Sequence, residues 1–162
     1  YGAIADYTKA IEIDPNYADA YAFRADSKSR LKDYYAAIED FTKAIEIGIN
    51  DDSNEAMTYF NRGYLKAVLK DYYGAIADYT KAIEIEPINA EAYTSRGYSK
   101  AELKDYYGAI ADYTKAIEID PNYANAYYYR AVSKAFIKDK NGSCQDGRKA
   151  KSLGLNLSLI HI

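Results

Sequence analysis

Tryptophan is absent from the 162 residues, and cysteine, methionine and histidine occur once each, as Cys144, Met57 and His161. A single cysteine excludes an internal disulfide framework and a cysteine-rich zinc site. A single histidine, five residues after Asn156 in an irregular tail, leaves no Ser-His-Asp, Cys-His or multi-histidine metal set to assemble. Excess positive charge is lacking too. The formal net charge is −3, with lysine matched by Asp and Glu throughout, whereas nucleic-acid binders carry a basic stripe that neutralises phosphates. No apolar run approaches the ~20 residues that cross a bilayer. Neither nucleic acid nor a membrane is therefore expected as a partner. The chain opens at Tyr1, without Met and inside a repeat, so a leader cannot be read and the compartment stays open, the cytoplasm slightly favoured. What is present is unusual: 20 tyrosines and many alanines, with 49% hydrophobic and 28% charged residues, enough to bury a core and stay soluble. Such bias suggests one unit copied several times.

Self-comparison finds that unit. The segment DYYGAIADYTKAIEI occupies 71–85 and recurs unchanged at 105–119, a shift of 34. Residues 1–18 recur unchanged at 107–124. A third relative, DYYAAIEDFTKAIEI, begins at Asp33, which is 38 before Asp71. The four extra residues are assigned to a linker at 48–55, where Gly48, Asn50, Asp51, Asp52 and Ser53 have loop composition.

Each unit reads as two helices. Ala109, Ile110, Tyr113, Ala116 and Ile117 follow the spacing of an amphipathic helix, with Asp105 as its N-cap and Pro121 beyond its end. Over 91–104, Tyr93, Gly97, Lys100 and Lys104 share one line, flanked by Leu103. A connection only a few residues long forces the two helices antiparallel. Gly63 and Gly97 mark close approach of helix axes, Ala75, Ala82, Ala109 and Ala116 do the same on the second helices, and Phe41, Tyr79 and Tyr113 are the knobs between. One pair cannot cover its apolar stripes, so neighbours must stack. The predicted fold class is all-α, a solenoid of stacked antiparallel helix pairs.

Two polar columns run through the repeats. Arg24, Arg62, Arg96 and Arg130 precede the small residue of each first helix, and Asp40, Asp78, Asp112 and Asp146 lie on the second helices. Asp112 shares a face with Ala109 and Ala116, and a partly buried carboxylate needs a partner. A structural Arg–Asp ladder is expected, against the alternative of a ligand-binding basic stripe. Cys144 falls in the column of Ile38, Ile76 and Ile110 and is expected to be a small buried hydrophobe. The run from Asp139 to Ser143 imitates a calcium loop, but Gly is fourth and Ala150 twelfth where Gly sixth and Glu twelfth are needed. The remaining carboxylates fall on solvated helix faces. No catalytic residue, metal site or cofactor is predicted, and the chain is read as a non-enzyme.

These residues resemble the tetratricopeptide repeat, whose pattern is a large residue, a small one, Ala, an aromatic, Ala and finally Pro. One unit supplies Tyr93, Gly97, Ala109, Tyr113, Ala116 and Pro121, and another Tyr59, Gly63, Ala75, Tyr79, Ala82 and Pro87. An earlier one supplies Tyr21, Ala25, Ala37, Phe41 and Ala44, with Ile49 in place of Pro. The resemblance covers about residues 1–154 and implies a right-handed superhelix. It divides into the second helix of a truncated leading repeat (1–17), repeat 1 with its longer linker (18–55), repeat 2 (56–89) and repeat 3 (90–123). A degenerate capping repeat (124–154) follows, keeping Tyr127 and Ala131 but replacing later positions with Ser143, Gly147 and Lys151. The tail 155–162 fits no repeat; it either packs over the last helix or is a non-native addition.

The resemblance also implies a concave groove lined by first helices that takes a peptide or partner-protein segment. Carried onto this sequence, the groove face has Asp19, Asp26 and Arg30, then Met57, Phe60, Tyr64 and Val68, then Glu91, Thr94, Tyr98 and Glu102, then Tyr128, Val132 and Phe136. Helical spacing independently groups each set on one face. The family's carboxylate-gripping cations are not matched: their row holds Asp26, Tyr64, Tyr98 and Val132. The ligand implied has apolar anchors and some basic character. Two other roles are compatible: a structural spacer or self-association module of a larger protein, or the regulatory repeats of an enzyme whose catalytic domain lies elsewhere.

Overall fold

The computed structural model describes residues 2–155, among which every regular element is a helix. The readings made for His161 and for the tail beyond Leu155 lie outside the described residues. Two compact units divide the chain, Tyr1–Pro87 and Ile88–Ile162. The first holds α1 (Gly2–Ile13), α2 (Ala18–Arg30), α3 (Tyr34–Ile47), α4 (Asp52–Val68) and α5 (Tyr72–Ile85). The second holds α6 (Ala90–Glu102), α7 (Tyr106–Ile119), α8 (Ala124–Phe136) and α9 (Lys140–Ser152). In both, antiparallel pairs stack so that the second helix of one pair meets the first helix of the next, an all-α solenoid arrangement. No described helix is long and apolar enough to cross a membrane.

The connection inside each pair is dictated by four residues. After α6, Lys104 takes a left-handed φ of 65°. Its N–H donates to the Ala101 carbonyl at 2.8 Å, and the Asp105 N–H to the Lys100 carbonyl at 2.9 Å. This is the Schellman pattern, which satisfies carbonyls the helix leaves open. Asp105 then caps the next helix, its carboxylate accepting from the Gly108 N–H at 2.9 Å. Lys32, Lys70 and Lys138 repeat the left-handed turn, and Asp33, Asp71 and Asp139 repeat the cap. One residue thus separates the last cap of one helix from the first cap of its partner, and the chain must fold straight back.

The insertion before repeat 2 is not a longer linker. α4 has 17 residues where α2, α6 and α8 have 13 each, because it starts four residues early, at Asp52. Asp51 caps it by accepting from the Asn54 N–H at 3.0 Å, and Asp52 and Glu55 lie in the first turn, where negative charge complements the helix dipole. Loop-like composition at 51–55 is equally the composition of a helix start, and the cap decided between them.

Alanine dominates the buried set, so helix axes come close and a few rings fill what remains. Tyr79 and Tyr113 are each 1% exposed and Phe41 2%. Opposite the tyrosines stand Gly63 and Gly97; a Cβ on Gly97 would lie 2.8 Å from the Tyr113 ring. Where the knob is Phe41 the small residue is Ala25, and where the knob position holds Gly147 it is Ala131. The sizes of the two columns compensate.

Cys144 is exposed rather than buried. Its column is half-buried at Ile38, Ile76 and Ile110, but in α9 the side chain at that position is left exposed among the described residues.

Candidate functional site

Two features could serve function: the charged columns and the faces of the first helices. In the charged columns each arginine forks onto one aspartate. Arg24 Nε and Nη2 donate to the two Asp40 oxygens at 2.8 and 2.8 Å, and Arg130 reaches Asp146 at 2.8 and 2.7 Å. Arg62 with Asp78 and Arg96 with Asp112 have the same fork, at 2.9 and 2.7 Å in both. The aspartate side chains are 4–7% exposed and the arginines 13–16%. With the guanidiniums turned onto these carboxylates, the arginines do not form an open cationic stripe.

Further members of these clusters escape a sequence reading. Lys28, Lys66, Lys100 and Lys134, one turn after each arginine, reach the same carboxylate at 2.7–2.8 Å. Tyr21, Tyr59, Tyr93 and Tyr127 place a ring 5.4–5.7 Å under each guanidinium carbon. The remaining Nη1 reaches the preceding pair: Arg24 donates to Thr8 Oγ1 at 3.2 Å, Arg62 to Thr42 at 3.0 Å and Arg130 to Thr114 at 3.1 Å. Each threonine hydroxyl gives its own proton to the carbonyl four residues back, as Thr8 does to Ile4 at 2.7 Å, so its oxygen is left to accept. One arginine therefore ties its own pair together and ties that pair to its predecessor. A buried carboxylate is disfavoured as an anion, yet the hydrogen bonds and charges of Arg130 and Lys134 outweigh burial and hold Asp146 below the ordinary aspartate range.

Each unit has a cleft on its first-helix faces. In the first unit a cleft of about 210 Å³ lies between α2 and α4, lined by Asp19, Ala22, Phe23, Asp26 and Arg30 and by Asn54, Met57, Thr58 and Asn61, with Phe41 beneath. Asn54 comes from the extra helical turn. Asp26 and Arg30, one turn apart on α2, are paired at its rim at 2.9 Å. In the second unit a cleft of about 300 Å³ lies between α6 and α8, with α7 at its base. Its wall is aromatic: Tyr98, Tyr106, Tyr113, Tyr128, Tyr129 and Phe136, with Ala101, Val132 and Ser133 between them and Glu102 and Lys104 at the edge. Tyr129 is the hub, its ring centroid 5.2 Å from Tyr128, 5.8 Å from Tyr98 and 5.9 Å from Tyr113. Tyr106 and Phe136 stack at 4.6 Å. Burial, then the neighbouring Tyr129, Asp112, Tyr98 and Glu102, push the Tyr113 phenol far above its ordinary value; burial and Tyr129 push Tyr128 the same way.

Of the candidate groove residues, Tyr98, Glu102, Tyr128, Val132 and Phe136 come together in the second cleft, and Met57 lines the first. Phe60 is half-buried with its ring 5.5 Å from Tyr79, so it pads the contact to α5 while keeping an accessible edge. Tyr64 and Val68 are 55% and 43% exposed, outside the first cleft. Glu91 lies near Tyr123, where burial and then the Glu91 charge raise the phenol, and does not line the second cleft. Thr94 is buried, donating to the Ala90 carbonyl at 2.9 Å, and leaves the groove set. Phe23 and Tyr129 were missed. They share one column, which Asn61 and Ser95 fill elsewhere, so the signal was an aromatic appearing in two of four copies. Among the described residues no group of His, Cys, Asp or Glu is placed to hold a metal ion.

Helix pairs stacked through small residues, with open clefts between first helices, define an α-solenoid repeat protein. The chain belongs to the tetratricopeptide repeat family, which matches residues 18–47, 51–89, 90–123 and 112–145. Among curated proteins none matches the sequence. Solved structures with the same fold include MamA, at 22% identity and a TM-score of 0.86 over 93% of this chain and 85% of that one. YrrB, described as a tetratricopeptide repeat protein with an unusual peptide-binding site, has 23% identity and a TM-score of 0.84 over 93% and 76%. The second tetratricopeptide domain of Spaghetti (RPAP3), solved with the HSP90 peptide SRMEEVD, has 26% identity and a TM-score of 0.62 over 63% and 94%.

Proposed function

We propose that this chain is a protein-interaction scaffold that binds a peptide or partner-protein segment across its first-helix faces, chiefly in the cleft of the second unit. The observation that carries this reading is the aromatic wall around Tyr129. Large rings with a polar tip are the residues most favoured in interfaces, and they lose little conformational freedom on contact. Two solved structures support the same reading: the Spaghetti domain was solved with an HSP90 peptide, and YrrB is described as having a peptide-binding site. The ligand is expected to have apolar anchors, and Asp19 and Glu102 at the cleft edges favour basic rather than acidic neighbours.

Selection of a random displayed peptide library against the chain tests the proposal. Enriched peptides should bind in the micromolar range and lose about tenfold or more against the double variant Tyr128→Ala/Phe136→Ala. Equal binding to wild type and variant would place the ligand elsewhere.

A further inference from the structure

We propose that the outward face of α9 docks a short acidic segment of a partner protein, held by Lys140, Arg148 and Lys151. The docking needs nothing from either cleft. What points to it is the way α9 departs from the second helices it otherwise copies.

Measured against α7, every substitution in α9 that alters charge moves it in one direction. Lys140 stands where α7 has Tyr106, Arg148 where it has Thr114, Lys151 where it has Ile117, and Ser152 where it has Glu118. α7 thus carries one cation and two acids, and α9 four cations and one acid. That one acid, Asp146, is already committed to Arg130 and Lys134. A helix that only had to meet water would mix the signs, as α3, α5 and α7 do with their exposed Lys–Glu pairs three residues apart. A face of one sign instead makes a local field that draws the opposite charge.

The cations are also aligned. Lys140, Arg148 and Lys151 are spaced to share one helix face, and all three are exposed, with the exposed Cys144 in the same row. At 1.5 Å per residue the row is about 16 Å long, the reach of about five extended residues. On α7 this face meets the next first helix: Thr114 accepts from Arg130 of α8 at 3.1 Å. With Arg148 in the place of that threonine, another first helix of this kind would set arginine against arginine. A further repeat is therefore not the occupant, and charge selects an anion. The row offers no ring for a base to stack on and no apolar side chain to enter a bilayer. Residues 124–155 hold seven cations and two acids, but the rest of the chain holds 14 and 22, which repels a polyanion that extends beyond the row. A stretch of Asp or Glu no longer than the row meets none of these obstacles.

The test uses decapeptides that alternate Ser with Glu, Gln or Lys, labelled with a zwitterionic rhodamine and titrated against the full chain by anisotropy. At about 30 mM salt the Glu peptide should bind about tenfold or more tightly than the Gln peptide, and the preference should vanish by about 300 mM, where screening is strong. Lys140→Gln/Arg148→Gln/Lys151→Gln should remove the preference, and Lys140→Arg/Lys151→Arg should keep it. Lys9→Gln/Lys43→Gln/Lys81→Gln takes the same charge from exposed positions elsewhere and should keep it too, with thermal melts checking that each variant folds. If this control loses as much, net charge rather than the row binds, and the proposal falls. If Tyr128→Ala/Phe136→Ala abolishes the preference, the peptide sits in the cleft and the proposal falls while the cleft reading stands. If a ten-residue oligothymidylate, or vesicles of phosphatidylcholine and phosphatidylserine in equal parts, bind more tightly than the Glu peptide, it falls in favour of nucleic acid or a membrane. If the Glu peptide does not bind, it falls as well, and the library selection decides the cleft reading on its own.

Discussion

At the scale of single residues the aspartate column sets the largest energies. Each carboxylate faces two cations in a nearly dry setting, so removing it leaves an arginine and a lysine confronting one another without a counter-charge. Asp112→Ala should cost about 3 kcal/mol, read as a lowered urea midpoint at unchanged slope. The exposed pair of Lys115 and Glu118, 2.9 Å apart, makes the contrast: Glu118→Ala should leave the midpoint where it was. Acid unfolding follows from Asp146. Its folded-state pKa is depressed, so between the folded and unfolded values the unfolded chain binds more protons. Its stabilisation is complete above about pH 4 and is lost as pH falls through the folded value. A stability profile from pH 7 to 2 should therefore drop on the acid side, and Asp146→Asn should make that drop shallower.

At the scale of the helix pair, the packing of small residues against knobs gives two glycines opposite signs. Alanine is favoured over glycine inside a helix by about 1 kcal/mol. At Gly147 an added Cβ meets nothing within 4 Å, so Gly147→Ala should stabilise by roughly that amount. At Gly97 the new Cβ would press on a ring that is itself 1% exposed and cannot retreat, and overpacking of about 1–3 kcal/mol should exceed the gain. Thermal melts of the two variants should move in opposite directions. The turn between paired helices offers a third case: Lys104 holds a left-handed φ of 65° that glycine adopts without cost, so Lys104→Gly should stabilise by about 1 kcal/mol. The helices themselves were legible in the sequence because the apolar period, the Asp caps and the 34-residue recurrence all agree. The extra turn of α4 was not, since Asp, Ser and Asn serve loops and helix starts alike. The lysines of the aspartate clusters were hidden for another reason: a lysine one turn from the core reads as solvated until a buried carboxylate is seen to draw it in. Which groove candidates share a cleft could not be read at all, because a face is a property of one helix and a cleft of three.

At the scale of the array, every repeat is stabilised by what its neighbours cover, so the place to test the solenoid's logic is a helix left uncovered. α1 carries at Ala3, Asp6, Tyr7 and Ala10 the residues that are buried at Ala109, Asp112, Tyr113 and Ala116 in α7. In α1 Ala3 and Asp6 are exposed and Tyr7 and Ala10 only half-buried. Because residues 1–18 are identical to 107–124, joining a copy of residues 89–106 ahead of Tyr1 recreates an intact repeat, bringing an arginine and a lysine to Asp6 and a glycine to Tyr7. The extended chain should melt roughly 5 °C higher, the shift expected when one to two kcal/mol is added to a chain of this length. The decisive comparison is Asp6→Ala, which should be silent in the 162-residue chain and costly in the extended one, in proportion to Asp112→Ala. An extended chain that melts higher yet is indifferent to Asp6→Ala would mean that the alanine and tyrosine packing seats a first helix on a second without the charged cluster; one that melts no higher would mean that neither contributes there.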